Sequence, residues 1–261
     1  MAKCVDCGEL FEQVVYIRPD DSEVAPDPRC RECSAEHERL ERHAEHIRET
    51  QRISDERRDE WRAALSHELQ DRFRAASFDS FDSKLQPAAF KALSSWGGQS
   101  LTIASPPKTY GVGKTHLVSA LASRLVETMD AAVSVQGYVV RLPRPVIFTT
   151  EPLLMDRIHA TFSDGVREPV EQVYMELERV RLLIIDDVGK RRPRDPSFTE
   201  QVWFRIVDGR YKANRPLILT TNLLPSELEE HIGGAAADRM GEMCGQKGMV
   251  VMKGQSYRRQ K

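Results

Sequence analysis

The stretch Lys108-Thr-Tyr-Gly-Val-Gly-Lys-Thr-His116 follows the apolar run Leu101-Thr-Ile-Ala104 and leads into Leu117-Val-Ser-Ala-Leu-Ala-Ser-Arg-Leu125. A strand, a glycine-bearing turn and a helix with apolar residues at 117, 118, 121, 122 and 125 form the context a P-loop needs. Gly111 and Gly113 let successive backbone N–H groups approach a polyphosphate where a Cβ would intervene. With Val112 and His116 they make a predicted ATP-binding segment. In it Lys114 supplies a cation for the β- and γ-phosphates, and Thr115 offers a hydroxyl to Mg2+ beside the positive end of the helix. The spacing G-x-x-x-x-G-K-[ST] would put its first glycine on Lys108. Alternatively Ser105-Pro-Pro107 leads the turn and Lys108-Thr-Tyr110 is inserted in it. Both readings keep the Gly-Val-Gly-Lys-Thr half, where most phosphate contacts are made.

Downstream, the pattern alternates between buried strands and helices, which predicts an α/β fold with a parallel sheet flanked by helices. Gly137 to Leu142 is expected to form a small hairpin insertion, and Val146-Ile-Phe-Thr-Thr150 the next buried strand, followed by an N-capped helix from Pro152 to Phe162. A helix over 168–179 precedes Arg181-Leu-Leu-Ile-Ile-Asp-Asp187, an apolar run ending in two carboxylates. Ligands of open α/β sheets bind at the carboxyl ends of strands. That placement makes Asp186 the partner of Thr115 at Mg2+ and Asp187 the group that orients and deprotonates an attacking water. A further strand, Pro216-Leu-Ile-Leu-Thr-Thr-Asn222, ends at Asn222, a polar sensor for the γ-phosphate or the water.

Four of the five cysteines open the chain as Cys4-Val-Asp-Cys7 and Cys30-Arg-Glu-Cys33. Two such knuckles offer four thiolates at tetrahedral spacing, a zinc signature, with His37 in place of one thiolate as the variant. Phe11 to Ile17 reads as a strand between the knuckles, giving a zinc ribbon over 1–36 in which the metal is structural. From 37 to 71 the composition is dominated by Glu, Arg, His, Asp and Ala, and predicts a long charged helix, a solvated arm laced with i,i+4 pairs. Residues 72–261 form the nucleotide-binding domain. At its start Arg72-Phe-Arg-Ala-Ala-Ser-Phe-Asp-Ser-Phe81 has aromatics that either cap the adenine side of the site or pack at the domain edge.

Lys+Arg 38 against Asp+Glu 40 leaves a formal charge of -2, so any nucleic-acid surface must be a local patch. The candidate is Lys190-Arg191-Arg192-Pro-Arg194, a basic loop directly after the paired aspartates. Near it in sequence or motif are Arg167, Arg205 and Arg210, and the stacking aromatics Phe162, Tyr174 or Phe198. No apolar run approaches the ~20 residues of a membrane span and no signal-peptide core opens the chain, so a cytoplasmic protein without membrane contact is expected.

Gly111-Val-Gly-Lys-Thr-His-Leu117, Leu182-Leu-Ile-Ile-Asp-Asp-Val-Gly189, Arg205-Ile-Val-Asp-Gly-Arg-Tyr211, Leu217-Ile-Leu-Thr-Thr-Asn-Leu223 and Ser256-Tyr-Arg258 together resemble the AAA+ ATPases of the DnaC/DnaI helicase-loader and IstB transposition-helper group. The resemblance covers roughly residues 72–259. It implies an AAA+ P-loop NTPase core and a slow, DNA- or partner-stimulated ATPase that forms homo-oligomers through its ATP sites. It also implies Arg239, in Ala237-Asp-Arg-Met240, as an arginine finger and Arg258 as the sensor 2 arginine. The implied function is loading of a replicative helicase onto single-stranded DNA, with the zinc end gripping the helicase. An IstB-like helper of a transposase and a nucleotide-switched zinc adaptor with little hydrolysis are the alternatives. The chain departs from the group at the leading glycine of the P-loop, and in having Asp187 where many AAA+ proteins carry Glu.

Overall fold

The computed structural model describes residues 1–13, 16–17, 23–24, 26–107, 109–162, 168–193, 195–254 and 256. The chain divides into two compact units, residues 1–56 with 132–141, and residues 57–131 with 142–261. Among the described residues no helix is long and apolar enough to cross a membrane.

In the first unit Ala2–Lys3 pairs antiparallel with Leu10–Phe11, and Tyr16–Ile17 with Glu23–Val24. The single strand expected over 11–17 is therefore two short strands in two hairpins. Helix α1 (Arg31–Glu68) starts inside the stretch read as the zinc module, so Cys33 sits on its first turn. Its early turns match the solvated arm. Leu40 and Ile47 are exposed, and Arg39–Glu36 and Arg52–Glu49 pair at 2.7 and 2.6 Å. The strands Ala132–Val135 and Tyr138–Arg141 make the expected hairpin. Its turn residues, Gln136 (φ 50) and Gly137 (φ 82), both have the positive φ of a two-residue type I′ connection.

The second unit is built on five parallel strands: β1 (Leu101–Ala104), β2 (Val146–Thr150), β3 (Leu182–Val188), β4 (Leu217–Thr221) and β5 (Met249–Val251), in the order β5-β1-β4-β3-β2. The pleat sends alternate residues to opposite faces. Ile184 and Ile218 join Ile103, Leu117, Leu121 and Phe148 on one face. Leu183, Ile185, Leu217 and Leu219 join Leu154, Leu177, Trp203 and Ile206 on the other. The helices are α2 (Pro87–Ser94), α3 (Lys114–Thr128), α4 (Glu151–Ala160), α5 (Val170–Arg179), α6 (Pro196–Lys212), α7 (Pro225–Ile232) and α8 (Gly234–Cys244). Helices α4 and α5 run within two residues of the expected 152–162 and 168–179, and α3 extends three residues beyond each end of the expected 117–125.

The arm reading fails for the last turns of α1. Trp61, Leu65 and Leu69 are buried in the core of the second unit beside α3 and the sheet residues. Glu68 accepts the N–H of Phe148 on edge strand β2 (3.0 Å) and pairs with Arg144 at 2.6 Å. A sheet edge otherwise presents unpaired amides. The sparse apolar positions 61, 65 and 69 were one helical face, hidden among charges by their i,i+4 spacing.

Candidate functional site

The turn after β1 folds back over the head of α3. Gly113, in the left-handed region (φ 99), precedes the first helical residue, and the Phe81 ring lies where a Cβ would project, 2.5 Å away. No other residue type meets both conditions. Lys114 is buried, and its Nζ donates to Ser105 Oγ at 2.6 Å and to Asn222 Oδ1. Ser105 Oγ in turn donates to Asn222 Oδ1 at 2.7 Å. Thus β1 and β4, neighbours in the sheet, bring Ser105 and Asn222 to the one lysine the P-loop reading requires. The Thr109 N–H donates to Pro106 O at 3.0 Å ahead of the glycines.

On β3 the Asp186 carboxylate accepts from Thr115 Oγ1 at 2.9 Å and from Thr220 Oγ1 at 2.5 Å. Burial pushes Asp186 from 3.8 up to about 6, and the charge of Asp187 adds to this; the two threonine hydroxyls and Lys114 oppose it. A hydroxyl and a carboxylate on adjacent elements are the hard oxygen donors Mg2+ takes. A divalent cation would also relieve the crowding of negative charge. These residues therefore fit Mg2+. When bound, the metal supplies neutralisation of phosphoryl charge.

Asp187 has a left-handed backbone (φ 58), a strained conformation for a side chain of this kind. Its N–H donates to Thr220 Oγ1 at 3.0 Å, and its Oδ2 pairs with Lys190 Nζ at 2.5 Å. A cavity of 260 Å³ opens beside Thr115, Asp186 and Asp187, walled by Phe73 and Phe148. His116, expected in the ATP-binding segment, turns its ring away. Its Nε2 lies 3.0 Å from Ser77 O and 3.1 Å from Ser80 Oγ, and the ring packs against Phe81. Phe78 and Phe81 pack on Phe90, so of the two readings for the 72–81 aromatics these rings take the packing one.

At the other end of the chain the Sγ atoms of Cys4, Cys7, Cys30 and Cys33 all lie within 4.8 Å of one another, with Cys7 and Cys30 at 3.7 Å. Zinc bonds of about 2.3 Å set tetrahedral sulfurs about 3.8 Å apart, so the set fits. The backbone N–H groups of Cys7 and Cys30 pull the Cys4 thiol down to about 6, while the crowding of Cys30 and Cys7 pushes Cys33 up. A bound cation would let the four thiolates coexist here. His37 is outside the cluster and faces Glu41 at 3.4 Å.

The family model of IstB-like ATP binding proteins matches residues 99–261. The chain belongs to that family. Its curated relatives include the replicative helicase loader DnaC of Escherichia coli strain K12, 28% identical over 149 residues, 57% of this chain and 53% of that one. An uncharacterized protein YdaV of the same strain is 29% identical over 130 residues, 50% of this chain and 45% of that one. The chain thus spans about half the length of the curated relatives it matches. Among solved structures, a crystal structure of the DnaC helicase loader matches with a TM-score of 0.51 and 20% identity, over 70% of this chain and 100% of that one. AMPPCP-bound DnaA from Aquifex aeolicus matches at 0.50 and 18% identity, over 69% of this chain and 50% of that one. These likenesses show that the second unit shares the fold of the DnaC and DnaA structures.

The remaining candidates of this IstB-like chain are dispersed. Arg239, on α8, pairs with Asp208 Oδ1 at 3.1 Å and lies over the Phe204 ring. Arg258 and Arg194 lie outside the described residues, as do Lys108 and Arg167. Lys190, Arg191 and Arg192 are exposed. Arg210 corrects the basic-patch reading. It is fully buried and donates to the carbonyls of Leu177, Val180, Arg181 and Pro216, so it ties α5 to the starts of β3 and β4. Tyr174 is buried beneath the Arg205 guanidinium, 3.8 Å from the ring centroid, and has no free face for a base. Phe162 is exposed, and Phe198 stacks on His159. The sequence reading missed Thr220, an uncharged residue within a strand, and Glu151, which looks like an ordinary acid at a helix start.

Proposed function

We propose that this chain is an ATP-dependent loader of a replicative DNA helicase, acting on single-stranded DNA during replication. The observation that carries it is the convergence of Lys114 with Asn222, and of Thr115 with Asp186, at the strand ends of an IstB-like ATP-binding domain. A relative named as a helicase loader and the four-cysteine cluster support the same reading. In it, backbone N–H groups at Gly111, Val112 and Gly113 receive phosphate oxygens and Lys114 neutralises the β- and γ-phosphates. Thr115 and Asp186 hold Mg2+, and Asp187 takes the proton of the attacking water. Asn222 senses the γ-phosphate. Arg239, after release from Asp208, reaches the nucleotide of a neighbouring subunit as an arginine finger, and Arg258 acts as the sensor 2 arginine on the bound phosphates. The division is a zinc module at 1–36, an arm at 37–71 and an ATPase domain at 72–261, with the last turns of the arm built into the ATPase core. Lys190, Arg191, Arg192 and Arg194 face the DNA backbone. The compartment is the cytoplasm.

Hydrolysis of ATP with and without single-stranded DNA, together with co-purification of the cognate replicative helicase, tests this. The expected result is turnover abolished by Lys114→Ala, raised by single strands, and helicase capture lost in Cys4→Ser. Helicase capture that survives zinc loss would remove the role of the N-terminal end. The family description favours a second reading, an IstB-type helper of a transposase. Stimulation by duplex and not by single-stranded DNA would select it.

A further inference from the structure

Glu151, the first residue of α4, is buried and lies at the meeting point of four elements. Its Oε2 accepts the N–H of Gly189 at 2.7 Å, directly beyond β3. Its Oε1 is 2.7 Å from both Trp203 Nε1 on α6 and His231 Nε2 on α7. A buried carboxylate is costly unless its lone pairs are met by donors. The backbone N–H, the indole and the imidazole meet them, and the start of α4 adds its positive end.

The residue thus held is the turn that carries Asp187. Asp187 is in the left-handed region, Gly189 also has positive φ (77), and a Cβ on Gly189 would lie 2.3 Å from Leu223 Cδ1. A strained backbone persists only where its surroundings over-determine it. Here Thr220 Oγ1 fixes the N–H of Asp187 from one side and Glu151 fixes the N–H of Gly189 from the other. His231 lies in the last turn of α7, the helix that follows β4, so the same carboxylate also holds that helix.

We propose that Glu151, oriented by His231, is a positioning residue for ATP hydrolysis. It fixes the turn 187–189 so that the Asp187 carboxylate faces the water, and it touches neither nucleotide nor metal. The inference rests on the ATPase reading of the site. A displaced base lowers turnover and leaves nucleotide binding intact, because the P-loop contacts come from other elements.

Full-length protein serves for the test, with kcat measured for ATP, Kd for a fluorescent ATP analogue, and Tm. Glu151→Gln puts an amide NH2 against N–H donors; kcat is expected to fall about tenfold or more while Kd changes less than about twofold. His231→Ala lowers kcat in the same way, and His231→Gln, which keeps a donor, restores it. Wild-type kcat in Glu151→Gln overturns the inference. So does a parallel loss of kcat, affinity and Tm in His231→Ala that His231→Gln does not rescue, since that marks a role in folding alone. If Glu151→Gln does not fold, the two His231 variants decide. Failure of the ATPase reading shows separately, as wild-type turnover that is absent or that survives in Lys114→Ala, and the inference then falls with it.

Discussion

Replacing Asp186 by Asn should make the metal-free, nucleotide-free protein more stable. The carboxyl is buried and titrates at about 6 against an ordinary 3.8. In that window the folded chain holds a proton the unfolded chain has released, so stability falls as pH rises from about 4 through 6. Below 3.8 both states are protonated and the penalty vanishes. Above 6 it is fully present, at about 3 kcal/mol. Asn has the same shape without the charge. Thr115 and Thr220 hydroxyls can each donate or accept, so one can bond the amide oxygen and the other the amide N–H. Allowing for weaker bonds to a neutral partner, the expected gain at pH 8 is about 1–3 kcal/mol. For a chain of this size that raises Tm by about 2–4 °C per kcal/mol. Thermal melts of both proteins in magnesium-free buffer at pH 8, 6.5 and 5 check it. The gap should narrow to about half by pH 5, as the wild-type carboxyl takes up its proton. Adding magnesium and ATP should raise the wild-type Tm by more than that of the variant, which lacks one oxygen ligand for the metal. A variant that melts below wild type at pH 8, or a gap that ignores pH, would refute the argument.

Gly113→Ala drives a Cβ to 2.5 Å from Phe81 Cε2 at a φ of 99. It should cost about 1–3 kcal/mol in urea denaturation and weaken ATP binding in calorimetry. Cys7→Ser removes one of four sulfurs from a cluster within 4.8 Å; elemental analysis should show about one zinc per wild-type chain and a large loss in the variant. Trp61→Ala empties a buried site in the core of the second unit. Its expected cost is about 3–5 kcal/mol, whereas Leu40→Ala, at an exposed position of the same helix, should change chemical stability by less than about 0.5 kcal/mol.

The sheet and its ligand end were legible because buried parallel strands leave continuous apolar runs, and Leu182 to Ile185 stop abruptly at two acids. The cysteines were legible because ligand spacing is local. What the sequence hid depends on distant neighbours. Strand β5 is only three residues long, and its parallel pairing with β1 has no local signal. Arg210 belongs by composition with the surface cations, and only the four carbonyls around it make it a core residue. The loop cations Lys190 and Arg191 kept their exposed place, while Tyr174 lost its face to Arg205, a pairing across two helices that spacing does not encode.

The side chain of Glu68 finishes the open flank of the sheet, from a helix that composition assigns to a separate arm. A fragment starting at Arg72 would bare the amide of Phe148 and the groove that Trp61, Leu65 and Leu69 fill. Such a truncation would offer other molecules a strand to extend and an oily trough to cover, and it would precipitate. The smallest piece that keeps this core covered therefore begins near Arg57, in the middle of an unbroken helix where no loop marks the cut.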